Sequence, residues 1–310
     1  MRFWLVMLVG VLLFGLTHGV RRMMVSPQPQ TSAVQSPVYT PATPPQRIIS
    51  LSPGITEVLF SVGAGNRVVG VTNYCAWPAE ALDRPKVGGF LDPNYEAMVA
   101  LRPDLVLLMP SHRDHRAELE RLGLRYEVVD QTRLEDIRAS ILTIGGLCGK
   151  EELARGIETE LARRVEAVKT RAAALPRPRV LLSSGRDLRS GTLNEVYIVG
   201  PTTFLGNLLA LAGGENAFTD TTMDYPALSG EAILRLNPEV IVEFTNGIEA
   251  MGVSREQVVA AWKALPGLAA AESGRIAVLD GAYLTIPGPR VADTLEALAA
   301  AIHPEWGDAQ

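Results

Sequence analysis

The chain has 310 residues, of which 47% are hydrophobic and 20% are charged, and its formal net charge is −5 at pH 7. This length allows two modest domains with a substantial buried core, and this composition excludes a largely disordered chain. The net negative charge of the chain argues against nucleic acid as a partner.

The first 25 residues have the layout of an export signal. Arg2 precedes an apolar run over residues 3–16, and Arg21 and Arg22 follow it. The run is shorter than the ~20 residues of a full membrane span, so we predict a signal peptide or a retained signal anchor over residues 1–25. The expected location is periplasmic or otherwise extracytoplasmic. Residues 26–46 are rich in Pro, Ser, Thr and Gln and predict a semi-extended linker.

Residues 47–148 predict a first α/β lobe. A strand at Ile48–Leu51 leads into Ser52 and Pro53, which suit the N-cap and the first position of a helix. Strands then alternate with helices, which predicts a parallel sheet covered on both faces. Ligands of such sheets lie beyond the carboxyl ends of the strands. That rule selects four candidate cleft residues, namely Tyr74, Trp77, Phe90 and His112.

Two cysteines fall within this first lobe, Cys75 after an early strand and Cys148 at its end. In an exported protein, this pair predicts a disulfide. The alternative is two separately buried thiols.

Residues 149–175 predict one long amphipathic helix. Apolar residues recur at steps of three and four from Leu153 to Leu175, and charged residues occupy the other face. Pro176 and Pro178 end the helix.

Residues 176–310 predict a second α/β lobe. Its strand-end loops supply the remaining candidate cleft residues, namely Arg186, Tyr225, Asn246 and Tyr283. The segment from Glu96 to Leu107 resembles the segment from Glu231 to Val242: Glu, Ala, Leu and Pro recur in register and each proline precedes an acid. We interpret this as two similar lobes rather than a stacked array of repeats.

The sequence contains no nucleophile elbow, no phosphate-binding glycine loop and no zinc-type array of Cys and His. We therefore predict a binding protein with no catalytic residues and no resident metal or cofactor. An exported metal-dependent enzyme that uses His112, Asp114 and His115 stays an alternative.

Several motifs in order resemble one family. They are Arg47-Ile-Ile-Ser-Leu-Ser-Pro-Gly-Ile-Thr-Glu57, Tyr74-Cys-Ala-Trp-Pro78, Leu101-Arg-Pro-Asp-Leu-Val106, Ala212-Gly-Gly-Glu-Asn216, Ser229-Gly-Glu231 and Pro287-Gly-Pro-Arg290. Together they resemble the periplasmic binding proteins of ATP-driven importers of vitamin B12 and iron-siderophores. The resemblance implies two α/β lobes joined by a single long backbone helix, with the ligand held between them. It also implies a monomer that delivers its ligand to an ABC permease and its ATPase, docking through one exposed glutamate per lobe, here Glu57 and Glu231.

The same resemblance does not decide which ligand the protein binds. Aromatic residues that would sandwich a corrin ring match Phe90, Tyr225 and either Tyr74 or Trp77, which favours cobalamin or a related corrinoid. A ferric siderophore or haem is the alternative, with Arg186, Arg189 and Arg290 facing an anionic chelate. A membrane-tethered sensory domain is a further alternative, because the N-terminal segment could be retained.

Overall fold

The computed structural model describes residues 43–308. The predicted signal or anchor at 1–25, and residues 26–42 of the predicted linker, lie outside the described residues. Among residues 43–308, none of the helices combines the length and the apolar character needed to cross a bilayer.

Lobe 1 is a parallel sheet with helices on both faces. Its strands are β1 (Ile48–Ser50), β2 (Val68–Val71), β3 (Leu105–Leu108) and β4 (Tyr126–Val128). Its helices are α1 (Pro53–Ser61), α2 (Tyr95–Ala100), α3 (Arg116–Arg121) and α4 (Leu134–Leu147). The strand order is β2-β1-β3-β4 with every pairing parallel, as the alternation of strands and helices predicts.

Lobe 2 has a six-stranded sheet in the order β10-β9-β5-β6-β8, with β7 also paired to β5. Its strands are β5 (Arg179–Gly185), β6 (Val196–Ile198), β7 (Glu215–Asn216), β8 (Ala227–Leu228), β9 (Val240–Thr245) and β10 (Ile276–Asp280). Its helices are α6 (Phe204–Leu211), α7 (Gly230–Leu236), α8 (Arg255–Lys263), α9 (Ala269–Glu272) and α10 (Val291–Ile302).

The similarity of the two lobes predicts parallel sheets, and the sheet of lobe 2 is parallel only in part. Strands β10, β9 and β5 run parallel, but β6 pairs antiparallel with both β5 and β8. No helix separates β5 from β6, so the chain returns directly and the strands must oppose each other.

The connecting helix α5 spans Glu151–Ala172, slightly shorter than predicted. Leu161, Val165, Val168 and Ala172 are buried as the periodicity predicts, whereas Leu153 is 53% exposed. Ala154 is buried in its place, against Gly145 of α4. Residues of both sheets and of α5 belong to one continuous apolar core.

Ion pairs attach α5 to both lobes. Arg138 of α4 pairs with Glu158 near one end of the helix. Arg164, further along, binds Asp293 at 2.6 Å and Glu296 at 2.7 Å, both on α10. Helix α5 is therefore joined by ion pairs to one helix of each lobe.

The internal repeat is visible in the hydrogen bonds of both lobes. Each repeat ends its helix with a left-handed residue, Arg102 (φ 47°) or Asn237 (φ 42°), followed by proline and an acid. The acid accepts from the backbone N–H of the arginine at the start of the lobe's first strand: Asp104 Oδ1 from Arg47 N at 3.0 Å, Glu239 Oε2 from Arg179 N at 2.7 Å. In both lobes the side chain of the same arginine also donates to the carbonyls that end the helix.

The predicted disulfide is wrong, because both thiols are free and buried. The Cys75 sulfur lies 3.1 Å from the Thr56 hydroxyl and 3.2 Å from the Thr72 hydroxyl, beneath α1. Cys148 caps the end of α4, and burial raises the pKa of its thiol to about 11. Each cysteine packs as a small apolar residue in its own part of the lobe.

Candidate ligand-binding cleft

A cleft of about 730 Å³ is lined by residues of both lobes. In lobe 1 its residues follow the carboxyl ends of β2, β3 and β4, and in lobe 2 they follow those of β9 and β10. These strand-end residues are Asn73, Tyr74, Met109, Gln131, Thr132, Asn246, Ala282 and Thr285. The position agrees with the strand-end rule applied to each sheet.

Aromatic rings line the cleft from both sides. Tyr74 and Phe90 belong to lobe 1, and Phe204 and Tyr225 belong to lobe 2. Tyr74 is 65% exposed and Tyr225 is 44% exposed, so part of each residue is open to a ligand. Large rigid rings on opposite lobes suit a flat apolar guest.

His112 supports the cleft wall from behind and does not face the ligand space. Its side chain is fully buried. Nδ1 accepts the Met109 N–H at 3.0 Å, so the other nitrogen, Nε2, carries the proton and donates to the Phe90 carbonyl at 2.8 Å. Its ring meets the Phe90 ring edge-on at 4.5 Å. The prediction that His112 lines the cleft is therefore wrong, because both of its nitrogens bond to backbone and hold the Phe90 loop.

Tyr225 is held by its neighbours' backbone. Asp224 O accepts from Gly200 N at 2.7 Å, and Pro226 O accepts from Ile198 N at 3.0 Å. A Cβ on Gly200 would lie 2.2 Å from the Met223 carbonyl oxygen, so this close approach of two segments requires glycine. The Tyr225 ring is thus presented by a fixed segment.

Asn246 also lines the cleft from an anchored loop. The Asp280 carboxylate accepts from the Thr245 hydroxyl at 2.8 Å and from the Gly247 N–H at 2.9 Å, on either side of it. The Asn246 carboxamide is exposed, and no hydrogen bond of it is found within the described residues. It is available to a ligand as donor and acceptor.

Arg186 is not available to a ligand, which contradicts its prediction as a contact. Its guanidinium pairs with Glu243 at 2.8 Å, and the two side chains are 1% and 0% exposed. Trp262 Nε1 also donates to Glu243. Burial raises the pKa of the Glu243 carboxyl, and Arg186 and the Trp262 hydrogen bond oppose that rise. The pair is part of the lobe's interior.

Trp77 and Tyr283 do not line the cleft either. Their rings flank the guanidinium of Arg290, with its Cζ 4.6 Å from the Trp77 centroid and 5.4 Å from the Tyr283 centroid. The same guanidinium binds Glu57 through two hydrogen bonds of 3.0 and 2.5 Å. Because Trp77 and Glu57 belong to lobe 1 and the other two residues to lobe 2, this cluster joins the lobes.

The exposure predicted for Glu57 is therefore wrong. Its side chain is 3% exposed, and burial raises the pKa of its carboxyl although Arg290 opposes that rise. A carboxylate in this position cannot reach a partner protein. The helix-start motif that contains it does not reveal that Arg290, far away in sequence, covers it.

The backbones of the two lobes touch beside this cluster, and we call the contact the interlobe seam. It consists of Gly54, Pro287, Gly288 and the Glu57–Arg290 pair. A Cβ on Gly54 would lie 2.4 Å from the Pro287 carbonyl oxygen, and one on Gly288 would lie 3.1 Å from the Glu57 carboxylate. The Ser-Pro-Gly and Pro-Gly-Pro-Arg motifs thus contact each other.

Glu231 is exposed, as expected of a docking residue. Glu96, its equivalent in the internal repeat, is exposed too. Each follows an N-cap by two positions: Asn94 accepts from Ala97 N in lobe 1, and Ser229 accepts from Ala232 N in lobe 2. The internal repeat aligns Glu96 with Glu231, whereas docking was predicted for Glu57. The repeat is therefore the sequence signal that indicates Glu96.

The histidines of the metal-enzyme alternative are occupied elsewhere. His115 Nδ1 lies 2.7 Å from the Tyr95 hydroxyl, and Asp114 faces Arg113 on the surface. Within the described residues, no three histidine, cysteine or carboxylate side chains are grouped closely enough to hold a metal ion.

Several residues that line the cleft were not predicted from the sequence. The polar residues among them are Ser52, Asn73, Gln131, Thr132, Thr203, Asp224 and Thr285. Met109 and Phe204 were missed because an apolar residue after a strand or at a helix start resembles a core residue. The strand-end rule itself could have identified Asn73, Gln131 and Thr132, since each follows a strand of lobe 1.

A family model described as periplasmic binding protein matches residues 48–283. An ABC transporter substrate-binding lipoprotein of Bacillus subtilis, described as uncharacterized, is 29% identical and the match covers 84% of this chain and 81% of that protein. A cobalamin-binding protein of Halobacterium salinarum is also 29% identical, with 84% of this chain and 70% of that protein covered.

Solved structures share the fold. The periplasmic vitamin B12 binding protein of Vibrio cholerae superposes with a TM-score of 0.73 at 24% identity, covering 86% of this chain and 100% of that one. A periplasmic heme binding protein from Pseudomonas aeruginosa superposes with a TM-score of 0.71 at 28% identity, covering 84% of this chain and 93% of that one.

Proposed function

The chain belongs to the periplasmic binding protein family, and we propose that it captures cobalamin or a related corrinoid between its lobes and delivers it to an ABC importer. In this role the chain catalyses no reaction. The importer hydrolyses ATP, and this chain binds the corrinoid, holds it and releases it to the importer.

The observation that carries the proposal is the pair of aromatic walls. Tyr74 and Phe90 on lobe 1 face a cleft that Phe204 and Tyr225 line from lobe 2. A corrin ring is flat, wide and apolar on its faces, and burying such faces against aromatic rings is favourable at roughly 25 cal/mol per Å². Relatives named as cobalamin-binding support the choice of a corrinoid.

Haem is the second candidate, and one specific observation favours it. Tyr74 and Tyr225 place two phenols at the cleft, both partly exposed. A tyrosine oxygen is an established ligand of haem iron. A solved relative described as a periplasmic heme binding protein supports keeping this candidate.

Gel filtration of the purified protein with each coloured ligand distinguishes the two. We expect cobalamin to co-elute with the protein at one equivalent per chain, detected by its visible absorbance. We expect haemin to co-elute substoichiometrically. If haemin co-elutes at one equivalent with the spectrum of a tyrosine-ligated iron and cobalamin does not, the haem candidate replaces the corrinoid.

Delivery requires a surface that the permease recognises. The exposed, repeat-related glutamates Glu96 and Glu231 present one carboxylate per lobe in equivalent positions. Charged residues at the rim of an interface contribute mainly to encounter and register. We therefore assign docking to Glu96 and Glu231, with Glu96 replacing the buried Glu57.

We predict that Glu96→Ala and Glu231→Ala each lower cobalamin uptake by cells, and that together they lower it further, because each lobe contributes one contact to the permease. The affinity of the purified variants for cobalamin should not change. Uptake is measured with radiolabelled cobalamin, and Glu80→Ala and Glu272→Ala, one exposed glutamate per lobe, serve as controls. Normal uptake by the Glu96→Ala Glu231→Ala double variant would contradict the docking assignment and favour a tethered sensory role.

A further inference from the structure

A side chamber of about 430 Å³ opens from the cleft into lobe 2. Asn246 and Thr285 line both spaces, so they form the mouth between them. Beyond the mouth the chamber is lined by polar residues at the end of β5, including Arg186, Asp187 and Arg189. The chamber is thus more polar than the aromatic cleft it adjoins.

Arg186 shapes the chamber without serving a ligand. Its charge is balanced by Glu243, and a weaker contact of 3.5 Å from its Nη1 to the Thr192 carbonyl links the two ends of the loop that follows β5. Asp187 folds the same loop: its Oδ1 accepts from Arg189 N at 3.0 Å and from Ser190 N at 3.4 Å. The loop is therefore organised before any ligand arrives.

Arg189 is the donor that this loop leaves free. Its side chain is exposed, and neither an ion pair nor a hydrogen bond of its guanidinium is found among the residues that the structure describes. The same holds for the Asn246 carboxamide and the Thr285 hydroxyl at the mouth. Three unpartnered donor groups thus line one path from the cleft into the chamber.

We propose that the side chamber is a subsite for an anionic phosphodiester substituent of the ligand, with Arg189 as its charged contact and Asn246 and Thr285 as neutral donors. This inference rests on the proposed function. In cobalamin the phosphodiester lies in the nucleotide loop that hangs from one edge of the corrin ring. The ring occupies the aromatic cleft and the loop extends through the mouth.

The chemistry of the donors fits a singly charged phosphodiester. A guanidinium binds phosphate oxygens through a planar fork, and such charge-assisted hydrogen bonds are shorter and stronger than neutral ones. The neighbouring carboxylate of Asp187 uses Oδ1 on the backbone of its own loop. Arg189 lines the chamber, and the hydrogen-bonding capacity of its guanidinium is unmet.

The test compares cobalamin with cobinamide, which keeps the corrin ring but lacks the nucleotide loop. Calorimetric titration of the full-length protein gives the ratio of the two dissociation constants. We expect the wild-type protein to prefer cobalamin. Arg189→Ala should weaken cobalamin binding about tenfold, the loss of one charge-assisted contact, and leave cobinamide binding unchanged. Arg189→Lys should retain part of the preference because it keeps the charge.

Arg155→Ala is the matched control, an exposed arginine on the solvent face of α5. It should change neither affinity, and the thermal unfolding curves of all variants should match that of the wild-type protein. An unchanged ratio of dissociation constants in Arg189→Ala would overturn the subsite while leaving corrinoid binding intact. If the wild-type protein binds neither cobalamin nor cobinamide, the proposed function fails and the subsite with it.

Discussion

His112 holds Phe90 in position in the cleft wall. The Phe90 carbonyl accepts from Nε2 of the buried imidazole, and the two rings pack edge to face. Burial lowers the pKa of His112 below its usual range, although its hydrogen bond to Phe90 opposes that shift. The folded protein therefore favours the neutral imidazole, in which Nδ1 can accept the Met109 N–H.

We predict a specific loss of stability on acidification. The unfolded chain carries His112 with a pKa of about 6.5, and the folded protein has a lower one. The contribution of the neutral imidazole to the stability of the folded protein is therefore fully present above about pH 6.5. It is lost as the pH falls through the pKa that His112 has in the folded protein. Urea unfolding at several pH values should show the free energy of unfolding falling from pH 7.5 to 5.5.

His112→Gln is the comparison, since it does not titrate. We expect a lower free energy of unfolding for this variant at neutral pH and a weaker dependence on pH over the same range. Parallel pH profiles for wild type and variant would mean that His112 does not contribute to the acid sensitivity.

Residue-level prediction from the strand-end loops succeeds for half of the cleft residues that it selects. Tyr74, Phe90, Tyr225 and Asn246 line the cleft. Trp77, His112, Arg186 and Tyr283 do not, because their side chains pack inside a lobe or around Arg290. Prediction also fails for Glu57, because the residue that covers it, Arg290, is brought there by the meeting of the lobes. No local pattern around Glu57 carries that information.

At the scale of elements, the contact between α4 and α5 depends on small residues. Gly145 of α4 faces Ala154 of α5, and a Cβ on Gly145 would lie 2.2 Å from the Ala154 Cβ. The next residue, Gly146, would meet nothing within 4 Å. Of these two adjacent glycines in one helix, Gly145 therefore has no room for a methyl group, whereas Gly146 has.

We predict that Gly145→Ala destabilises the protein by about 1–3 kcal/mol, because the helices must separate or shift to admit the methyl group. Gly146→Ala should instead raise the free energy of unfolding, by up to about 1 kcal/mol, because alanine favours the helix over the unfolded chain. Chemical denaturation of both variants measures the difference. Equal effects of the two substitutions would contradict the packing described for α4 and α5.

The apolar periodicity of the sequence, together with its capping residues and prolines, predicted several helices and strands well. The predicted strand at Ile48–Leu51 agrees with β1, and Leu161, Val165 and Val168 form the buried face of α5 as expected. Strands β6 and β8 escaped prediction because each is very short and lies among loop residues. The direction of a strand depends on its partner, which periodicity does not identify.

At the scale of the whole molecule, the lobes are joined in two places. The rod α5 connects them covalently, and the interlobe seam connects them through Gly54, Pro287, Gly288 and the Glu57–Arg290 pair. Because both connections are in place, we expect capture to require small adjustments rather than wide closure. A preformed cleft also reduces the ordering cost of binding.

We predict that Arg290→Ala destabilises the protein by about 2–3 kcal/mol at pH 7, because it leaves the Glu57 carboxylate buried without a partner. The loss should be smaller at pH 4. Burial raises the pKa of the Glu57 carboxyl. The contribution of the protonated carboxyl to the stability of the folded protein is therefore present at low pH and is lost as the pH rises through the pKa that Glu57 has in the folded protein.

Arg163→Ala is the control for this prediction, since Arg163 pairs with Glu160 on the open surface of α5. Exposed pairs contribute little, so we expect no measurable change in unfolding. A loss in Arg290→Ala that did not depend on pH would contradict the role given to Glu57.

The most direct test of the account is a calorimetric titration of cobalamin into the wild-type protein and into Phe90→Ala Tyr225→Ala, which removes one ring from each wall. We expect one cobalamin per wild-type chain with sub-micromolar affinity. We expect at least a hundredfold weaker binding in the double variant, about 3 kcal/mol for two lost stacking partners. Tyr197→Ala, an exposed tyrosine outside the cleft, should bind as the wild type does. Equal affinity of the double variant and the wild type would contradict capture between the lobes.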